Sequence, residues 1–177
     1  PDESGRPAWA GIWGIWGGED YGGPEWPWYK GTLVHTTWNN IEAEKGKWDF
    51  SSIDNKLEKA AEKGLYLGII VYHGDASPNW IYQQGVPKVE SSNGRNYPYY
   101  LDPDFKPLLF NMINKVAEHV KSLPEYIQEK LVIVQAPAGK SGDPQPYAGT
   151  IPAQYRINWT TGEDWREWNR EVFTEYA

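Results

Sequence analysis

Cysteine is absent from the 177 residues, which excludes a disulfide framework, a thiolate metal site and a cysteine nucleophile. Histidine is nearly absent. His35, His73 and His119 are scattered, with no second ligand at helical or hairpin metal spacing, so no metal or other cofactor is expected. No G-x-G-x-x-G or G-x-x-x-x-G-K-[ST] follows a strand-like run, and no G-x-S-x-G elbow occurs. Apolar runs stop well short of the roughly 20 residues that span a bilayer, and no signal-peptide pattern opens the chain. Positive charge is also short: 17 Lys plus Arg face 24 Asp plus Glu, for a formal net charge of -7. Neither nucleic acid nor an anionic membrane is therefore an expected partner. Phenylalanine is scarce too, with 4 residues against 11 Trp and 12 Tyr. Trp and Tyr suit places where a flat apolar face meets a polar tip and water, and sugars offer such surfaces to their binders.

What is present reads as one α/β domain, because 40% hydrophobic residues can bury a core at this length. The pattern predicts a short strand over Trp9–Trp16, a loop over 17–28 and a second strand from about Gly31 to Thr37. A loop over Trp38–Lys47 follows. Ser51 and Asp54 form a capping-box-like pair before a helix with Ile53, Leu57, Ala60 and Ala61 on one stripe, ending at Gly64. Leu65–Tyr72 is apolar without alternation, as in strands buried on both faces of a parallel sheet. A long loop over His73–Leu101 then leads to Asp102-Pro103, an N-cap with proline at the first helical position. Phe105, Leu108, Leu109, Met112, Val116 and Val120 recur at helical spacing. Pro124 ends that helix or starts a short turn through Gln128. Leu131–Gln135 is a fourth strand, 136–160 a loop, and Asp164–Tyr176 a final helix with Trp165, Trp168, Val172 and Tyr176 on one face.

Long loops follow the strands, and short returns follow the helices. That asymmetry is the layout of a (β/α)8 TIM barrel, whose site is built from the loops after the strands. A full barrel takes about 250 residues. The expected architecture is therefore the first four βα units of one barrel, with this chain read as the N-terminal half of a larger protein and the C-terminal half of the barrel as its partner.

The segment Trp38-Asn39-Asn40-Ile41-Glu42-Ala43-Glu44-Lys45-Gly46-Lys47-Trp48-Asp49-Phe50, continuing to Ser52-Ile53-Asp54, resembles W-x-x-I/L-E-P-x-x-G-x-Y/W-D-F-S-x-I/L-D of retaining glycoside hydrolases with a (β/α)8 barrel. The β-galactosidase-like and agarase-like branches are the most similar, and Ala43 stands where they carry proline. Glu42, Trp48 and Phe50 are read as packing residues of the loop and helix. His73, Asp75, Pro78 and Trp80 resemble that family's loop ending in P-x-W, where the Trp lines a sugar subsite.

The resemblance implies a retaining mechanism: a general acid/base Glu just after strand four and a nucleophilic Glu near strand seven, their carboxyls about 5–5.5 Å apart. Here Gln135-Ala136-Pro137-Ala138-Gly139 resembles V-Q-x-x-E-G with Ala138 at the acid position, while alignment to N-E-P puts Ala136 there. Alanine stands at the acid position in both alignments; Glu90 and Glu163 are alternatives by residue type only. The nucleophile is expected outside this chain. A sugar platform of Trp38, Asn39, His73, Trp80 and Gln135 is expected, with Asp143 and Tyr147 meeting further sugar units. The implied function is a glycosidase for a β-linked, galactose-containing carbohydrate, or a non-catalytic carbohydrate-binding protein on the same scaffold. The polar, proline-bearing start resembles a mature exported bacterial protein, which implies a secreted or periplasmic location.

Overall fold

The computed structural model describes residues 5–140 and 144–177. Its strands are β1 Ile12–Gly14, β2 Tyr29–Thr37, β3 Tyr66–Tyr72, β4 Lys88–Glu90, β5 Asn96–Pro98 and β6 Leu131–Gln135. Its helices are α1 Trp38–Ile41, α2 Ser51–Glu62, α3 Trp80–Gln83, α4 Phe105–Ser122, α5 Glu125–Gln128 and α6 Glu163–Tyr176. Two compact units share the chain. The first takes the described part of Pro1–His35 with Phe50–Ile70 and Val120–Gln135; the second takes Thr36–Asp49, Val71–His119 and the described part of Ala136–Ala177.

The first unit is built on a four-stranded sheet ordered β1-β2-β3-β6. β1 runs parallel to β2, with Gly14 opposite Thr32, and β3 runs parallel to β6, with Ile69 opposite Val134. The strands thus lie in chain order, and the apolar run is parallel to the fourth predicted strand. Gly68 is required by close packing in that sheet: a Cβ there would stand 2.8 Å from Leu33 Cδ1 and 3.4 Å from Ile133 Cβ. α2 buries Ile53, Leu57 and Ala60, the expected stripe.

Several boundaries differ from the sequence reading, each for a local reason. The first strand shrinks to three residues because Trp9 and Ala10 turn, Ala10 N–H donating to Pro7 O at 2.9 Å. Trp38–Ile41 is a helical turn rather than loop, since Thr37 Oγ1 accepts the Asn40 N–H at 3.1 Å and caps it. Ser51 does not cap α2. The Phe50 carbonyl already accepts from Ile53 and Asp54, both at 3.0 Å, so Phe50 is the cap and Ser51 sits inside the first turn. Asp102 does hold the approach to α4, its Oδ1 accepting the Asp104 N–H at 3.0 Å, but Pro103 lies in the turn before the helix.

The largest correction concerns 73–101, which is not structureless. In the second unit it carries α3 and an antiparallel hairpin, with Val89 opposite Tyr97 and both fully buried. The hairpin turn is closed by Gly94 N–H to Ser91 O at 2.9 Å and Arg95 N–H to Asn93 Oδ1 at 3.0 Å.

Candidate functional site

The candidate site belongs to the second unit and is framed by buried aromatic rings, the indoles of Trp38, Trp80, Trp165 and Trp168 each donating to a protein oxygen. Trp38 is 0% exposed and donates from Nε1 to Glu42 Oε2 at 2.8 Å. Glu42 is 1% exposed; its other carboxylate oxygen accepts the Gly46 N–H at 2.8 Å, and its backbone carbonyl accepts Trp80 Nε1–H at 2.9 Å. The two indoles meet edge to face, centroids 5.8 Å apart. Trp38 and Trp80 therefore do not form the open stacking platform expected of them: their rings are enclosed and their N–H groups are taken. Glu42 holds them there, in keeping with its reading as a packing residue.

His73, likewise expected to meet sugar hydroxyls, is 1% exposed. Its Nε2 lies 2.7 Å from Pro137 O, which can only accept, so Nε2 carries the proton and Nδ1 has no partner among the described residues. Gly74 follows with φ +74°, and a Cβ there would come within 2.6 Å of Tyr100 Oη. Burial pulls the His73 pKa from 6.5 down to about 4, against a smaller opposing effect of the Pro137 carbonyl. The folded state thus refuses a proton that the unfolded chain accepts. Its contribution is complete above pH 6.5, falls as pH drops toward 4, and is level below that. We expect up to about 3 kcal/mol of acid-dependent stability from this group. Urea titrations between pH 7 and 4 should show H73N with a shallower loss than the parent; parallel curves would remove His73 as the cause.

Ala138 is 2% exposed, and its carbonyl accepts Trp168 Nε1–H at 3.2 Å. Ala136 is half-buried. Trp165 donates to Pro144 O at 2.6 Å, so α6 grips the loop after β6 at two points. Tyr147 is 5% exposed and packs on Tyr97 and Tyr100 at 5.5 and 5.3 Å, which makes it a core ring rather than a free sugar contact. Gln135 is half-buried at the end of β6, in the first unit. Asp143 lies outside the described residues. Glu90 is exposed on the hairpin, and Glu163 is exposed and paired with Arg166 and Arg170 at 3.5 and 3.8 Å. Neither lines a site.

Of the expected platform, Asn39 lines a cleft. This cleft, about 460 Å³, is lined by Thr37, Asn39, Asp75, Ala76, Ser77, Asn79, Tyr82, Gly94, Arg95 and Asn96. Arg95 Nη1 donates to Asp75 Oδ2 at 2.6 Å across it. The Ser77 hydroxyl is buried and lacks a protein partner among the described residues. Such a set offers amide, hydroxyl, carboxylate and guanidinium groups beside one phenol ring, a composition that can accept and donate to several hydroxyls at once. The volume falls within the range of small-ligand pockets. Arg95 and Asn96 were lost to sequence reasoning because their segment reads as loop; Asn93-Gly94, a hairpin turn signature, was the signal that could have placed them.

No family model matches the chain. Over 134 aligned positions, covering 62% of this chain and 19% of the relative, it is 26% identical to β-galactosidase BbgII of Bifidobacterium bifidum. The chain spans about a fifth of that relative's length. Among solved structures, the β-galactosidase of the psychrophilic Marinomonas ef1 aligns with a TM-score of 0.49 and 13% identity, over 71% of this chain and 21% of that one. The sequence relationship is thus to a glycoside hydrolase, at low identity and over part of the chain.

Proposed function

We propose that this chain is the carbohydrate-recognising part of a retaining glycosidase for β-linked galactosides, with its acid/base carboxyl replaced by alanine. The observation that carries this reading is the Asn39–Asp75–Arg95–Asn96 cleft, which has the hydrogen-bonding groups for a sugar and no cluster of carboxylates for hydrolysis. The similarity to a β-galactosidase supports the choice of sugar. On this reading the four strands begin a TIM barrel, and the nucleophilic Glu comes from the remaining half.

Alanine at both 136 and 138 also favours a non-catalytic carbohydrate-binding protein. The two readings part at the acid position. Glutamate at Ala138 would be shut from water, which raises a carboxyl pKa and suits it to donate a proton to the leaving sugar. Proton donation of this kind contributes typically 10²–10⁴-fold to rate.

The decisive experiment is calorimetric titration with a β-galactosyl disaccharide, paired with product release. N39A/R95A should weaken binding at least tenfold while changing the melting curve only slightly, because Arg95 is 60% exposed although its partner Asp75 is 22% exposed, and pairs with an exposed member stabilise little. A138E in the whole protein should raise turnover far more than affinity. Unaltered binding in N39A/R95A would exclude the cleft. Unaltered turnover in A138E and A136E would leave the non-catalytic reading.

A further inference from the structure

The first unit carries an aromatic surface, none of whose residues lines the cleft. β1 and β2 are parallel, so the chain must travel back along the sheet between Gly14 and Tyr29. It does so without an α-helix, through a single 3-10 turn at Gly18–Asp20 and a loop rich in glycine and proline. Gly22 lies against Leu65, just ahead of β3, where a Cβ would meet Leu65 Cδ2 at 2.8 Å. Trp28 O accepts the Ile12 N–H at 3.3 Å at the start of β1. Residues 21–28 therefore sit at the amino ends of the strands.

Three rings are displayed there. Tyr21, Trp26 and Trp28 are 47%, 40% and 53% exposed. Tyr21 and Trp26 meet at 5.5 Å and 82°, Trp26 and Trp28 at 5.8 Å and 75°, so the neighbours brace one another edge to face while each stays substantially exposed. The indoles of Trp38, Trp80, Trp165 and Trp168 all donate to protein oxygens. Those of Trp26 and Trp28 have no such acceptor among the described residues.

The composition of the loop selects among possible occupants. From Trp16 to Trp28 it contains four aromatic rings, no aliphatic side chain, three carboxylates and no lysine or arginine. The core of a protein interface is normally depleted of carboxylates and carries arginine beside its aromatics, and this loop shows the reverse on both counts. Lys59 pairs with Asp20 and Lys63 donates to the Asp20 carbonyl, so the loop's net charge rests on Glu19 and Glu25, and that negative charge disfavours a sulfated or uronate polymer. Flat apolar faces with free N–H donors, bordered by Glu19 and Glu25 as acceptors, complement the C–H faces and hydroxyls of neutral sugars.

We propose that Tyr21, Trp26 and Trp28 form a holding platform for a neutral polysaccharide, distinct from the cleft that takes the reacting sugar. Successive rings grip successive sugar units, so affinity grows with chain length. This rests on the carbohydrate reading only for its choice of polymers.

The test is affinity electrophoresis of the chain through neutral agarose, β-1,4-galactan and galactomannan, with sulfated carrageenan as the anionic counterpart. The parent should be retarded by at least one neutral polymer and not by carrageenan. W26A/W28A should lose that retardation at least tenfold while its circular dichroism and its affinity for a β-galactosyl disaccharide are unchanged; W26Y/W28Y should recover part of it. N39A/R95A should behave in the opposite way, keeping retardation and losing the disaccharide. If no neutral polymer retards the parent, or W26A/W28A is retarded equally, the platform is refuted. Loss of self-association in W26A/W28A without any change in retardation would make the patch a protein interface and refute it as well. Failure of disaccharide binding in the parent, with retardation intact, would sink the cleft reading alone.

Discussion

Replacing Glu42 by alanine is expected to destabilise the second unit by about 3 kcal/mol, although the residue lies next to a predicted sugar site and carries a carboxylate. Its two oxygens accept from the Trp38 indole and the Gly46 amide, both at 2.8 Å. Removing the carboxylate strands a fully buried donor and a partly buried one, and each unmet buried donor costs about 1–3 kcal/mol. Water cannot relieve Trp38, which is 0% exposed. E42Q should lie between the parent and E42A, since its single carbonyl oxygen serves one donor while its amide faces the other. Guanidinium unfolding followed by tryptophan fluorescence reads this directly. Equal midpoints for E42A and the parent would show that the carboxylate does not hold the two indoles.

Trp168 should be costlier still. It is 2% exposed, stacked on Phe105 at 5.8 Å and on Trp165 at 6.2 Å, with its Nε1–H on the carbonyl of Ala138. Truncation to alanine removes a large buried ring, at about 3–5 kcal/mol for such cores, and frees the loop that carries Ala138. W168F restores most of the volume but not the hydrogen bond to Ala138. We therefore expect W168A to lose about 4 kcal/mol and W168F about half of that. Faster amide exchange of residues 138–140 in W168F would report the released loop; unchanged exchange would show that α6 does not anchor it.

Element types were legible wherever a side-chain period ran long enough. Phe105–Ser122 and Leu131–Gln135 stand where the spacing of their apolar residues puts them. Two three-residue strands, Lys88–Glu90 and Asn96–Pro98, are too short to show alternation, and only their turn sequence betrays them. The site was legible in its segments and misread in its side chains. Position after a strand brought Trp38, His73 and Trp80 into view, but position says nothing about which way a ring turns. Trp38 turned inward because Glu42 offers it an acceptor one helical turn away. Asn39, its neighbour, kept the open side.

The pairing of β3 with β6 bears on how the chain reaches this structure. Ile69 and Val134 are partners in the sheet although sixty-five positions separate them. Bringing such distant points together in a disordered chain costs about 4 kcal/mol of loop-closure entropy. The second unit's 71–119 lies wholly within that loop. Once its hairpin and α4 are formed, the effective length to be closed is much shorter. The refolding rate of the first unit's sheet is therefore expected to fall on mutations in that hairpin or in α4, and unchanged rates would show that the loop closes without them.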